Sequence, residues 1–122
     1  MIGANHFIDV SSSLNTSIYP YFFTTQGKTQ VIENIYSEQF DNKRSVIFYT
    51  PPSYLENTLK VHKNVLIMHD GQNLFDPKTA FMGNSWLIGS TLDNAIVSGS
   101  IEEVLVVGPY NTAARMDEYT YI

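Results

Sequence analysis

"NVLIMHDGQNLFD", residues 64–76, is the stretch on which the fold turns. Its apolar run, Val65 to Met68, stops at His69, Asp70 and Gly71 and resumes through the amide pair Gln72-Asn73. An apolar run without alternation is the pattern of a strand covered on both faces, as in a parallel sheet. Glycine at the tip of such a strand permits a sharp turn and lets the following backbone amides point at a ligand.

Downstream, after a loop punctuated by Gly, Asn and Pro, "SWLIGSTLDNAIVSGS" places Trp86, Leu87, Thr91, Leu92, Ala95 and Ile96 at helical spacing. Ser85 reads as the N-cap of that helix and Gly99 as its stop. "EEVLVVGPY" is a second short apolar strand ending in a Gly-Pro break. Strand, helix and strand with buried strands predict a parallel βαβ unit. Upstream, "TQVIENIYS" and "RSVIFYTPP" flank the charged turn "EQFDNK" and predict an antiparallel hairpin. "PPSYLENTLKVHK" then reads as a loop whose prolines end the second strand. The fold class is α/β, with ordered structure over 29–122. Residues 1–28, turn-rich with aromatics at Tyr19, Tyr21, Phe22 and Phe23 around Pro20, read as an extended arm.

Composition narrows the function classes. The 122 residues hold seven basic against twelve acidic side chains, a net charge of -5, with no Lys/Arg cluster. That balance offers no footprint for a phosphate backbone, so no nucleic-acid partner is expected. Without cysteine there is neither a thiolate zinc site nor a cysteine nucleophile. No apolar run is long enough to span a bilayer, and the N-terminus lacks the basic start and apolar core of a secretory signal. No membrane association is expected and a cytoplasmic location is favoured. The Asn15-Thr16-Ser17 sequon reads as a chance match.

Loops after the carboxyl ends of parallel strands are where α/β proteins place their chemistry. Two occur here. In the first, Asp70 reads either as a carboxylate that satisfies the turn or, with His69, as part of a ligand site. Adjacent strand residues point to opposite faces, which argues against a shared metal, and none is expected. His69 as a general base has no evident nucleophile to serve. Gly83-Asn84-Ser85-Trp86-Leu87 comes nearest to a Gly-x-Ser-x-Gly nucleophile elbow but lacks its final glycine and its preceding strand. Trp86 reads as a core or loop anchor, with a substrate wall as the alternative. The second loop, "GPYNTAARMDEYTYI", gathers Asn111, Arg115, Asp117, Glu118 and Tyr119. Arg115 there either pairs with Glu118 or contacts substrate.

Together "RSVIFYTPPSY", "VLIMHDGQNLFD", the later Trp86, "VLVVGPYNTAAR" and "DEYTY" make the chain from about Val31 to Tyr121 resemble a branch of the α/β-hydrolases. That branch includes enterobactin-type esterases, S-formylglutathione hydrolases, feruloyl esterases and mycolyltransferases. The resemblance implies a sheet of strand order 1-2-4-3, forming the N-terminal part of an incomplete domain. It implies that the backbone amide of Gln72, after the Gly71 turn, belongs to an oxyanion hole. His69, Asp70, Trp86, Arg115, Glu118 and Tyr119 would flank the substrate, a small-molecule or carbohydrate-linked ester handled without a cofactor. The triad Ser, Asp/Glu and His would follow a fifth strand and so lie beyond Ile122, leaving the chain alone inactive. An alternative is a non-catalytic binding module that self-associates through the exposed edge of the third strand.

Overall fold

Sequence patterning of the first half becomes a hairpin. The computed structural model of the protein describes residues 24–56 and 61–120. Within them strand β1 (Lys28–Ser37) pairs antiparallel with β2 (Asn42–Thr50) across the charged turn. A register shift between Ile32 and Ile35 accompanies a left-handed Asn34 (φ 56°), a bulge that bends the outer strand. The arm and the sequon lie, up to residue 23, outside the described residues.

The second half supplies β3 (Val65–Ile67), α1 (Ile88–Val97), β4 (Leu105–Pro109) and the short α2 (Arg115–Tyr119). β3 and β4 are parallel, β4 also pairs antiparallel with β2, and the sheet runs β1-β2-β4-β3. Among the described residues no helix is long and apolar enough to cross a membrane.

Alternation decides which side of the sheet is covered. Ile47, Tyr49 and Val106 share one face and are buried together with Leu74 from the segment after β3. Ile88 and Leu92 of α1, with Phe75, pack against them. The buried Tyr49 hydroxyl donates to Asp93 Oδ1 of α1 at 2.7 Å, and its ring stacks on Phe75 at a centroid distance of 5.9 Å. A polar group thus ties helix to sheet without being orphaned.

Two expectations are corrected here. Strand β3 is not covered on both faces: Val65, Leu66 and Ile67 are 56%, 41% and 68% exposed. Among the described residues it is an edge strand paired with β4 alone, and the face carrying Val65 and Ile67 is left exposed. Nor is Ser85 the cap of α1, or Trp86 part of it. The helix starts at Ile88, behind a left-handed Leu87 and without a side-chain cap. Its start is fixed instead by backbone bonds, Trp86 N–H to Asn73 O at 2.8 Å and Ile88 N–H to Leu74 O at 3.0 Å. The stop is where it was expected: Gly99 takes φ 76°, and Ser100 N–H reaches back to Ala95 O at 2.9 Å.

At the opposite end of the sheet from the strand tips, Glu103 is buried and accepts from the Ser53 amide (3.2 Å) and hydroxyl (2.5 Å). His62 Nε2 lies 2.9 Å from the same carboxylate. This cluster ties the loop before β3 to the segment leading into β4.

Candidate functional site: the turn at the tip of β3

Gly71 fixes where the turn lies. A Cβ built there would stand 2.0 Å from the carbonyl oxygen of Gly108, so the turn rests directly on the backbone of β4. Residues Gly71–Asn73 form a single 3-10 turn closed by Asn73 N–H to Asp70 O (2.8 Å) and Leu74 N–H to Gly71 O (3.3 Å). These bonds do not use the amide of Gln72, because the first N–H groups of any helical turn have no partner within it. Two other groups of Gln72 are engaged: its carbonyl accepts from the Thr79 hydroxyl at 2.7 Å and its side-chain Oε1 from the Asn111 backbone amide at 3.2 Å.

Asp70 precedes the turn in a left-handed conformation, φ 57° and ψ 48°. For a residue with a side chain that costs about 1–2 kcal/mol, and aspartate is among the types that tolerate it best. Its carboxylate is buried and fully engaged. Arg115 grips it with two bonds, Nε to Oδ1 at 3.1 Å and Nη2 to Oδ2 at 2.9 Å, and Asn111 Nδ2 adds a third at 2.8 Å. The Arg115 hydrogen bonds hold the Asp70 carboxyl below the ordinary carboxylate range, against burial, which pushes the other way.

Arg115 therefore pairs with Asp70 and not with Glu118. Glu118 instead accepts from Arg44 Nη2 of β2 at 2.8 Å and from the Thr112 hydroxyl at 3.0 Å. The Arg115 guanidinium also lies over the Tyr119 ring at 5.1 Å, and that ring meets His69 edge-on at 5.3 Å. His69 and Asp70 diverge. Asp70 lines a cavity of about 610 Å³ together with Gln72, Trp86 and Arg115. His69, Glu118 and Tyr119 line a separate groove over Val46 and Pro109 on the uncovered face of the sheet.

The expected residues thus divide into two groups: Asp70, Gln72, Trp86 and Arg115 meet at one cavity, while His69, Glu118 and Tyr119 line the groove on the other face. Trp86, half exposed, forms a wall of the cavity with Phe81 and Met82. The sequence does not single out those two residues or Asn84 as cavity residues, since they sit in a loop whose signal is its Gly and Asn punctuation. Asn73, which also lines the cavity, holds that loop by accepting the Phe81 amide on Oδ1 at 2.8 Å. Among the described residues no group of three or more His, Asp or Glu side chains could hold a metal.

No protein-family model matches the chain. No curated protein matches it either. Solved structures do. A ferulic acid esterase superposes with a TM-score of 0.50 at 22% identity, covering 69% of this chain and 30% of its own. A serine-to-alanine mutant of the feruloyl esterase module from Clostridium thermocellum, complexed with sinapinate, gives a TM-score of 0.48 at 22% identity, with 72% and 28% covered. The first comparison shows a shared, esterase-like fold. This chain spans about 30% of the length of that esterase.

Proposed function

We propose that the tip of β3 is part of the acyl-transfer site of a serine carboxylic-ester hydrolase, with the Gln72 backbone N–H as one donor of its oxyanion hole. The observation that carries this reading is the Gln72 amide, without a hydrogen-bond partner among the described residues, on a turn that is closed by two backbone bonds, fastened through the Gln72 carbonyl and Oε1, and borders the cavity. Such a preorganised amide stabilises the charge of a tetrahedral intermediate as it develops, and removing one donor typically costs about 10²–10³ in kcat. Asp70 and Gly71 shape the turn, and Trp86 with the Arg115 side contributes to the walls that receive the ester.

The residues described here supply no activated nucleophile. Ser53 and His62 do meet at Glu103, yet the serine proton goes to the carboxylate and all three side chains are buried. The Ser85 hydroxyl is buried with no hydrogen-bond partner among the described residues. The chain alone is therefore expected to leave p-nitrophenyl acetate at its buffer rate. Turnover above buffer that disappears in Ser85→Ala overturns that assignment. The positive test grafts residues 64–120 into the matching segment of the ferulic acid esterase. There Gln72→Pro, which deletes the N–H, should lower kcat by about 10²–10³, while Gln72→Ala, which keeps it, should not. Equal effects of the two substitutions count against a backbone donor.

The bare edge of β3 favours a second reading, a module that associates through strand addition. Sedimentation that finds only monomer across the accessible concentration range contradicts it.

A further inference from the structure

Control of the Gln72 N–H is a narrower question than the position of the turn. That N–H belongs to the peptide between Gly71 and Gln72. The Thr79 hydroxyl bonds the next carbonyl and so fixes the following peptide. The carbonyl of the 71–72 peptide itself accepts from Leu74 N–H at 3.3 Å, and the backbone entering that peptide is set by the left-handed Asp70, which the loop after β4 holds in turn. Helix α2 reaches the strand tip on two sides, with Arg115 on Asp70 and Tyr119 against His69, and its Glu118 is anchored on Arg44 of β2.

We infer that α2 is a clasp whose Arg115, with Asn111, acts as a positioning residue for the Gln72 amide through the Asp70 carboxylate. The inference rests on the oxyanion reading of that amide and adds the part of the chain that aims it. The clasp is separable from the core. Tyr119 is not among the apolar side chains packed against Ile47, Tyr49, Leu74 and Val106, which hold sheet and helix together. Arg115, Glu118 and Tyr119 are exposed residues outside that core, so losing the clasp leaves the packing of sheet and helix in place, although the buried Asp70 carboxylate then loses its ion pair. A left-handed aspartate whose carboxylate loses its partners has no further reason to stay left-handed. The 71–72 peptide then keeps the 3.3 Å bond from Leu74 N–H to Gly71 O but loses the support of Asp70, and gains motion while the fold persists.

Nitrogen relaxation on the full chain tests this. In the wild type the Gln72 N–H should show an order parameter near that of rigid backbone, about 0.85. In Arg115→Gln it should fall below about 0.6, with the order parameters of the Leu74 and Val106 amides unchanged and the melting temperature lowered no more than Asp70→Asn lowers it. Arg115→Lys, which keeps a charge but not the two-pronged grip, should fall between. Asn111→Ala provides the comparison should either arginine variant not fold. An unchanged Gln72 order parameter in the folded variants overturns the clasp. So does a loss of order spread over Leu74 and Val106, which marks a structural role only. The oxyanion reading is tested separately: a wild-type Gln72 resonance that ignores added acetate removes that reading, whatever the order parameters show.

Discussion

Replacing Gly71 by alanine puts one methyl group where the backbone of β4 already lies. The added Cβ would stand 2.0 Å from Gly108 O, 2.7 Å from Gly108 C and 2.9 Å from Tyr110 Cδ1. Reaching an ordinary 3.4 Å contact with that oxygen means moving the turn or the strand by about 1.4 Å. The strand cannot yield cheaply, because Gly108 pairs with Ile47 and is itself packed by Leu74 and Ile47 side chains. Forced shifts of this kind in a packed region cost about 1–3 kcal/mol, and a backbone clash belongs at the upper end. For a domain of this size about 3 kcal/mol corresponds to roughly 10–20 °C in melting temperature. Circular dichroism of purified Gly71→Ala against wild type measures it, and a proton–nitrogen spectrum should show the largest shifts at residues 70–74 and 107–110. A melting temperature within about 2 °C of wild type would refute the close approach of turn and strand, and with it the placement of the Gln72 amide.

Leu74, fully buried between the sheet and α1, should cost about 2–5 kcal/mol when cut to alanine. Urea unfolding with an unchanged slope reads this directly, and a loss under about 1 kcal/mol would mean that Leu74 is not central to the core. Asp70→Asn removes the charged acceptor of three hydrogen bonds and should cost about 1–3 kcal/mol near neutral pH. The pH dependence has a definite sign. The folded-state pKa of Asp70 is lowered, so the unfolded state binds more protons and stability rises with pH between the two values. The difference between wild type and Asp70→Asn should thus be complete above the unfolded value of about 3.9 and shrink as the pH falls through the lower folded value. A difference that stays constant into acid contradicts the ion pair with Arg115.

How much of this could be read from residues alone depends on whether the deciding interaction is local. The β-rich runs of the hairpin and the apolar run of β4 are local patterns, and each became the strand it predicts. Gly99, a local stop signal, also ends α1. The start of α1 is not legible around Ser85, because backbone bonds to Asn73 and Leu74, a dozen or more residues away, fix it. The run at β3 looks buried only by composition, since exposure depends on which neighbours cover it. At the site, Arg115 and Glu118 stand at helical spacing and so suggest each other. Their partners are Asp70, 45 residues away, and Arg44, 74 residues away. The Asp-Gly pair at the tip did carry a signal for a special backbone conformation, although the left-handed residue is Asp70 and the glycine serves close approach. The Ser53–His62–Glu103 cluster left no pattern, because its three members come from separate segments.

The central claim is that the Gln72 amide offers itself to an oxyanion. Proton–nitrogen spectra of the full chain titrated with sodium acetate, against sodium chloride at equal ionic strength, test it most directly, the carboxylate standing in for the tetrahedral oxygen. A saturable downfield shift of the Gln72 amide proton, absent with chloride and absent at Leu74 and Val106, is the expected result. A Gln72 resonance that moves equally in both salts, or in neither, would contradict the account.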